Sequence, residues 1–241
     1  LPAAPPTQLV VSTHFDDAVL SLSHLLQTAG PRATVVTVCA GAPPIGQPVS
    51  EWDADAGFAD GREAARLRSL EDIRACAVTG ARRVLLRHLD EPYRARPLAA
   101  RAVRTAIERL LGPRDVLWMP AAIGDHPDHV DVRAALLPLA ARLPPARLRV
   151  YADLPYAGRH RRRLPPAVAH ALPGLRGRDT LLSAEAFERK LEAVRCHASQ
   201  IAPLTATATP ELLAAGGVLA RERVWRRSPW QIPAEASSCR E

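Results

Sequence analysis

Gln8-Leu9-Val10-Val11-Ser12-Thr13-His14-Phe15-Asp16-Asp17-Ala18-Val19-Leu20-Ser21-Leu22 is the stretch that decides the fold. Residues 8–12 form a short, mostly apolar run, which reads as a buried strand. From Asp17 the period changes. Val19, Leu20, Leu22, Leu25 and Leu26 share one helical face, and Gly30-Pro31 stops the pattern. Ala33 to Cys39, with Val35, Val36 and Val38, is a second buried strand. Strand, helix and strand in such close succession make a βαβ unit, with parallel pairing and a right-handed crossover.

The alternation continues outward. Helices are predicted over 61–78, 97–111, 131–143 and 183–199, and strands over 83–86, 115–119 and 148–152. Ala40 to Asp60 is long and irregular, with Pro43, Pro44, Pro48, Trp52 and Phe58. A loop of that length inside a compact domain is usually functional, and it is read as a flap beside the active site. Region 153–182 is rich in Pro, Gly and Arg and takes no assignment, and the tail after Pro229 reads as loosely ordered. The expectation is one α/β domain over 1–241 with a mostly parallel sheet, a core at about 8–200 and a C-terminal extension over 201–241.

Two His/Asp clusters carry the chemistry. Thr13-His14-Phe15-Asp16-Asp17 follows the first strand, and Asp125-His126-Pro127-Asp128-His129 follows the strand predicted at 115–119. Ligands of open α/β sheets bind beyond the carboxyl ends of the strands, where both clusters fall. His14 and Asp17 are three apart, so both side chains can face one point, and His129 joins them from the second cluster. Two imidazoles and a carboxylate suit a divalent metal such as zinc, with water completing the shell, although iron, cobalt or manganese also fit such a set. Zinc brings its bound water to a pKa near ~7, which makes a nucleophile for an amide or ester carbonyl. Asp16 then reads as the base that takes the water's proton, and His126 as a protonated group stabilising the oxyanion or feeding the leaving amine. Asp128 reads as the group orienting His126. The bland alternative for Asp17 alone is a helix cap.

Bulk properties exclude some classes. No apolar run approaches the ~20 residues of a membrane span. The net charge of +7 is almost all arginine, since Lys190 is the only lysine. The basic run Arg159 to Arg163 lacks interleaved aromatic residues and reads as a solvated loop rather than a nucleic-acid contact. Cys39, Cys76, Cys196 and Cys239 are widely spaced, with no CxxC pair, which fits a reduced, cytoplasmic setting. Cys39 reads as a small buried hydrophobe.

His14-Phe15-Asp16-Asp17 and His126-Pro127-Asp128-His129 resemble the His-Pro-Asp-Asp and His-x-Asp-His motifs of the LmbE-like, or PIG-L, family of zinc-dependent N-acetylglucosamine de-N-acetylases. Arg68, Glu71 and Gly80 are similar to its Arg-x-x-Glu helix, and Lys190, Ala193, His197, Ser199 and Gln200 to a late helix. Phe15 replaces the usual proline, and Ala18 a frequent acidic residue. The resemblance implies a Rossmann-like three-layer sandwich without a glycine-rich dinucleotide loop. It implies zinc on His14, Asp17 and His129, Asp16 as base, and His126 as oxyanion and proton donor. Arg68 is implied as a substrate contact, and Trp52 and Phe58 are offered as sugar-stacking ones. The expected function is removal of an N-acetyl or longer N-acyl group from an amino-sugar conjugate, in natural-product or glycoconjugate synthesis. An amidase or esterase acting elsewhere, or a non-catalytic sugar-binding module, is the alternative.

Overall fold

β1 (Gln8–Ser12) is buried along almost its whole length, as a central strand covered on both faces must be. The computed structural model describes residues 5–159, 163–207 and 211–227. Along the chain follow α1 (Asp17–Ala29), β2 (Ala33–Thr37), α2 (Glu51–Asp55), α3 (Gly61–Thr79), β3 (Arg82–Leu85), α4 (Ala100–Leu110), β4 (Val116–Pro120) and α5 (Pro127–Arg142). Then come β5 (Leu148–Tyr151), α6 (Tyr156–Arg159), α7 (Pro166–Ala171), β6 (Leu175–Leu181), α8 (Ala184–Arg195), α9 (Ala198–Thr207) and β7 (Arg221–Arg227).

The strands form one sheet in the order β3-β2-β1-β4-β5-β7-β6. The first five run parallel, and Val10 at the centre pairs with Val35 on one side and Trp118 on the other. α1 packs on α3 and α8, while α4 packs on α5 and α5 on α7, so helices layer both faces. α1 buries Ala18, Val19, Leu20, Leu22 and Leu26 against β1 and β2, the face its spacing predicts. No helix among the described residues is long and apolar enough to cross a membrane.

Four local readings change. The helix predicted from 131 begins at Pro127, so Asp128 and His129 stand in its first turn. Proline suits that position because its missing N–H would have no intrahelical partner there. The helix predicted over 183–199 divides into α8 and α9 at Cys196 and His197. Region 153–182 resolves into α6, α7 and β6. Residues 221–227, assigned above to an extension beyond residue 200, are a sheet strand: β7 lies antiparallel between β5 and β6. Trp225 is buried there, and Lys190 Nζ, fully buried on α8, donates to Glu222 Oε1 at 2.9 Å. Breaking a buried pair costs about 3–5 kcal/mol, so this contact pins β7 to α8. The tail after Pro229 lies outside the described residues.

Candidate metal centre

The sheet order reverses between β1 and β4. β1 leads to β2 and β3 on one side, and β4 leads to β5 on the other. That switch point opens a crevice at the carboxyl ends of both strands. The two clusters meet in it: the rings of His14, His126 and His129 have centroids no more than 5.4 Å apart.

His129 sits deepest and is fully buried. Its Nδ1 lies 2.8 Å from Asp153 Oδ1. Its Nε2 lies 3.3 Å from Asp17 Oδ2, and it is wholly buried with no hydrogen-bond partner. His14 turns Nδ1 toward Asp17 Oδ2 at 3.5 Å. One donor atom from each of His14, Asp17 and His129 falls within a 4.8 Å cluster. Burial lowers the pKa of both imidazoles. Asp128 and Asp17 around His14, and Asp17 and Asp153 around His129, outweigh it and raise both. Burial likewise pushes Asp17 up, but His129 and His14 bring it well below the ordinary carboxylate range. The site is organised around positive charge, and an orphaned imidazole nitrogen faces its centre. A zinc-sized divalent ion fits this donor set.

Asp16 is buried beside Asp17 and lines the cavity. It stands at the N-cap of α1 but makes no side-chain capping bond, so its carboxylate is not engaged there. Burial, then the neighbouring Asp17 charge, raises it to about 6. His126 lies across the cavity at the N-cap of α5, and its Nδ1 accepts from Asp128 N at 3.3 Å. Its proton therefore belongs on Nε2. Burial and then the His14 and His129 charges lower its pKa to about 4, so the surroundings favour a neutral ring over the protonated one expected above.

Asp128 needs a second correction. Its carboxylate does not hold His126. It meets His14 Nε2 at 3.0 Å, Glu91 N at 3.0 Å and the Arg94 guanidinium. Arg94 also reaches Asp131 at 2.8 Å. Burial raises Asp128, yet the His14 bond and these donors keep it well below the usual range. It orients His14, as Asp153 orients His129.

The sequence reading missed Asp153, Arg94, Asp53, Tyr93 and Tyr156. Asp153 follows the end of β5, and the strand-end rule alone pointed to that position. Its Oδ2 also accepts from Ile123 N at 3.1 Å, fixing the loop after β4. In that loop Gly124 has φ +91, and a Cβ there would lie 2.9 Å from Tyr156 Cβ. Only glycine lets Tyr156 lie against His129, 5.5 Å between ring centroids. Arg94 and Tyr93 sit in a loop without periodicity and carried no signal.

The cavity over the cluster holds about 200 Å³ and is lined by parts of the 40–60 stretch: Ser50, Trp52 and Asp53. That stretch borders the site as expected, tied down by α2. Buried Asp53 accepts from both Arg68 and the Tyr93 hydroxyl. Trp52 Nε1 donates to Gln200 Oε1 at 3.3 Å. Arg68 lines the cavity as well, and the Phe58 ring packs 5.9 Å from its guanidinium. Phe58 does not line the cavity, so its expected stacking on a sugar face is not supported. The two lesser motifs meet: Glu71 accepts from Ser199 N at 2.8 Å and from Ser199 Oγ at 2.6 Å. The basic run at 159–163 lies largely outside the described residues.

Comparison with known proteins adds a family. Residues 9–140 match the family model described as PIG-L, GlcNAc-PI de-N-acetylase. The chain is 31% identical over 169 residues to the 2'-N-acetylparomamine deacetylase of Streptomyces fradiae, covering 62% of this chain and 57% of that protein. It thus spans little more than half the length of that relative. Among solved structures, the A40926 pseudoaglycone deacetylase Dbv21 superposes with a TM-score of 0.74 at 31% identity, over 95% of this chain and 100% of that one. The zinc-inhibited form of teicoplanin deacetylase Orf2 gives a TM-score of 0.74 at 26% identity, over 93% of this chain and 100% of that one.

Proposed function

The chain belongs to the PIG-L family, and from that premise we propose that it is a zinc-dependent N-deacetylase acting on an amino-sugar conjugate in natural-product assembly. The observation that carries the reading is the convergence of His14, Asp17 and the orphaned Nε2 of His129 beside the buried Asp16 carboxyl, which makes no capping bond. The deacetylases it resembles act, by their names, on an aminoglycoside intermediate and on glycopeptide pseudoaglycones, which supports the substrate class.

His14, Asp17 and His129 would hold the ion. When bound it supplies Lewis acidity, polarising a carbonyl and lowering the pKa of water. Asp16, largely ionised at neutral pH, takes the proton of the attacking water and returns it to the leaving amine. His126 offers a neutral Nε2–H to the developing oxyanion, a task that needs a fixed donor rather than a charge. Burial, then the Asp17 and Asp16 charges, pushes the Tyr156 hydroxyl well above its ordinary value, so it too stays a donor beside the rings. Asp128 and Asp153 keep the two imidazoles in place. Arg68 and Trp52 line the wall where the sugar ring would lie. A cavity of about 200 Å³ is smaller than the ~300–1,000 Å³ clefts of drug-sized ligands, so it takes one acylated sugar and leaves the aglycone outside.

The test is a substrate panel: N-acetylglucosamine on a glycopeptide-type aglycone, N-acetylated aminoglycoside, free N-acetylglucosamine, and simple N-acetyl amides. The expected result is chelator-sensitive amine release from a sugar conjugate, with kcat/KM at least ~100-fold above the simple amides. Equal rates on simple amides would replace the reading with a general amidase.

A further inference from the structure

The cavity floor holds a second set of donor atoms. His14, Cys39, Asp90 and Asp128 each bring one ligand atom into a cluster within 4.8 Å. Cys39 lies just beyond β2, with its N–H bonded to Thr13 O at 2.9 Å. It is 3% exposed and lines the cavity, and its thiol has no hydrogen-bond partner among the described residues. Asp90, in the loop after β3, also lines the cavity, and its Oδ1 is wholly buried without a partner. An uncompensated buried carboxylate oxygen is costly, and a cation is one way to compensate it. Thiol, imidazole and carboxylates together favour a borderline-soft ion such as zinc or cadmium over magnesium or calcium.

We propose that Cys39, Asp90, His14 Nε2 and Asp128 form a second, weaker site for a soft divalent cation, and that filling it inhibits the enzyme. Binding releases the Cys39 thiol proton to solvent and forms a metal–sulfur bond, with no redox change. Inhibition follows from His14. Its Nδ1 faces Asp17 and its Nε2 faces Asp128. A neutral imidazole has one nitrogen free to ligate and one that carries the proton. An ion taking Nε2 leaves the proton on Nδ1 and withdraws His14 from the Asp17–His129 set. Arg94 sits on the other Asp128 oxygen, and its charge keeps this second site the weaker of the two. The inhibitory consequence rests on the zinc-hydrolase reading above; the ligation does not.

Cobalt titration of the metal-stripped chain reads the two sites separately, because only a thiolate ligand gives a sulfur-to-cobalt charge-transfer band. The wild type is expected to bind a first equivalent without that band and to develop it on further addition. C39S keeps the first event and loses the band. D90N, which leaves the thiol in place, needs about tenfold more cobalt to develop it. C76S behaves as wild type. In activity assays, zinc beyond one equivalent inhibits the wild type, and C39S requires about tenfold more zinc for the same loss. A wild type with no band, or a band that persists in C39S, overturns the site. A Cys39-dependent band without zinc inhibition overturns the inhibitory role. Absence of the first binding event, with the band intact, defeats the catalytic-metal reading and leaves this site standing.

Discussion

His129→Ala is expected to lose bound metal and activity together. His129 is the innermost donor, fully buried, with one nitrogen on Asp153 and the other facing Asp17. Removing it leaves two of the three proposed ligands. Losing the ion forfeits several kcal/mol of charge stabilisation, and each ~1.4 kcal/mol is tenfold in rate, so the fall is about 10³-fold or more. The alanine also strands the Asp153 carboxylate, at about 1–3 kcal/mol of stability. His129→Gln keeps volume and a donor for Asp153, and separates the two effects. It should fold near the wild-type Tm yet carry little metal. Metal content by elemental analysis, with kcat/KM on the best sugar conjugate, is the measurement. A metal-loaded, active His129→Gln would remove His129 from the ligand set.

Asp16→Asn is expected to show the opposite split, retaining the ion and losing turnover. Asp16 makes none of the contacts that hold the imidazoles, and the asparagine fills the same space. General-base catalysis contributes about 10²–10⁴-fold, so kcat should drop by that amount while metal content and Tm hold. The pH profile gives a second reading. Burial and Asp17 raise Asp16 to about 6. The base must be ionised to accept a proton, so activity rises with pH through that value and is lost as pH falls below it. A cation on Asp17 stabilises the ionised form of Asp16, which places the acid limb at or below pH 6 in the loaded enzyme. In Asp16→Asn this limb disappears from the residual activity. Wild-type kcat in a metal-retaining Asp16→Asn would remove Asp16 as the base.

The parts of the fold that were legible were those whose burial writes a period into the sequence. β1, β2, β4 and β5 are apolar runs because both their faces are covered, and α1 shows its stripe because it packs on the sheet. β6 and β7 were not legible. β6 is exposed along nearly its whole length, and β7 reads Arg-Glu-Arg-Val-Trp-Arg-Arg. β6 is held chiefly by the backbone of β7, which itself pairs with β5 on its other edge, and ladder hydrogen bonds leave no composition signal. The start of α5 was misplaced because its first turn carries the N-cap His126 and the buried polar Asp128 and His129 rather than apolar core residues.

The site divides the same way. The two clusters were visible because chemistry concentrates rare residue types in a short span, and the switch-point topology brings them together as strand-end reasoning requires. The residues that position them come singly from other loops: Asp153 on His129, Arg94 on Asp128, and Asp53 between Arg68 and Tyr93. A single Asp or Arg in a loop has no spacing to read. That is also why Asp128 was assigned to its sequence neighbour His126. In space it faces His14, 114 positions away.

The measurement that bears most directly on the central claim is the metal content of the purified wild-type chain, with amine release from an N-acetylglucosamine conjugate assayed before and after chelation. The expected result is about one zinc-class divalent ion per chain at the catalytic centre, with activity lost on chelation and restored by one equivalent. A chain that takes up no ion on reconstitution, or that releases amine equally well with and without chelator, would contradict the claim that His14, Asp17 and His129 build a hydrolytic metal centre.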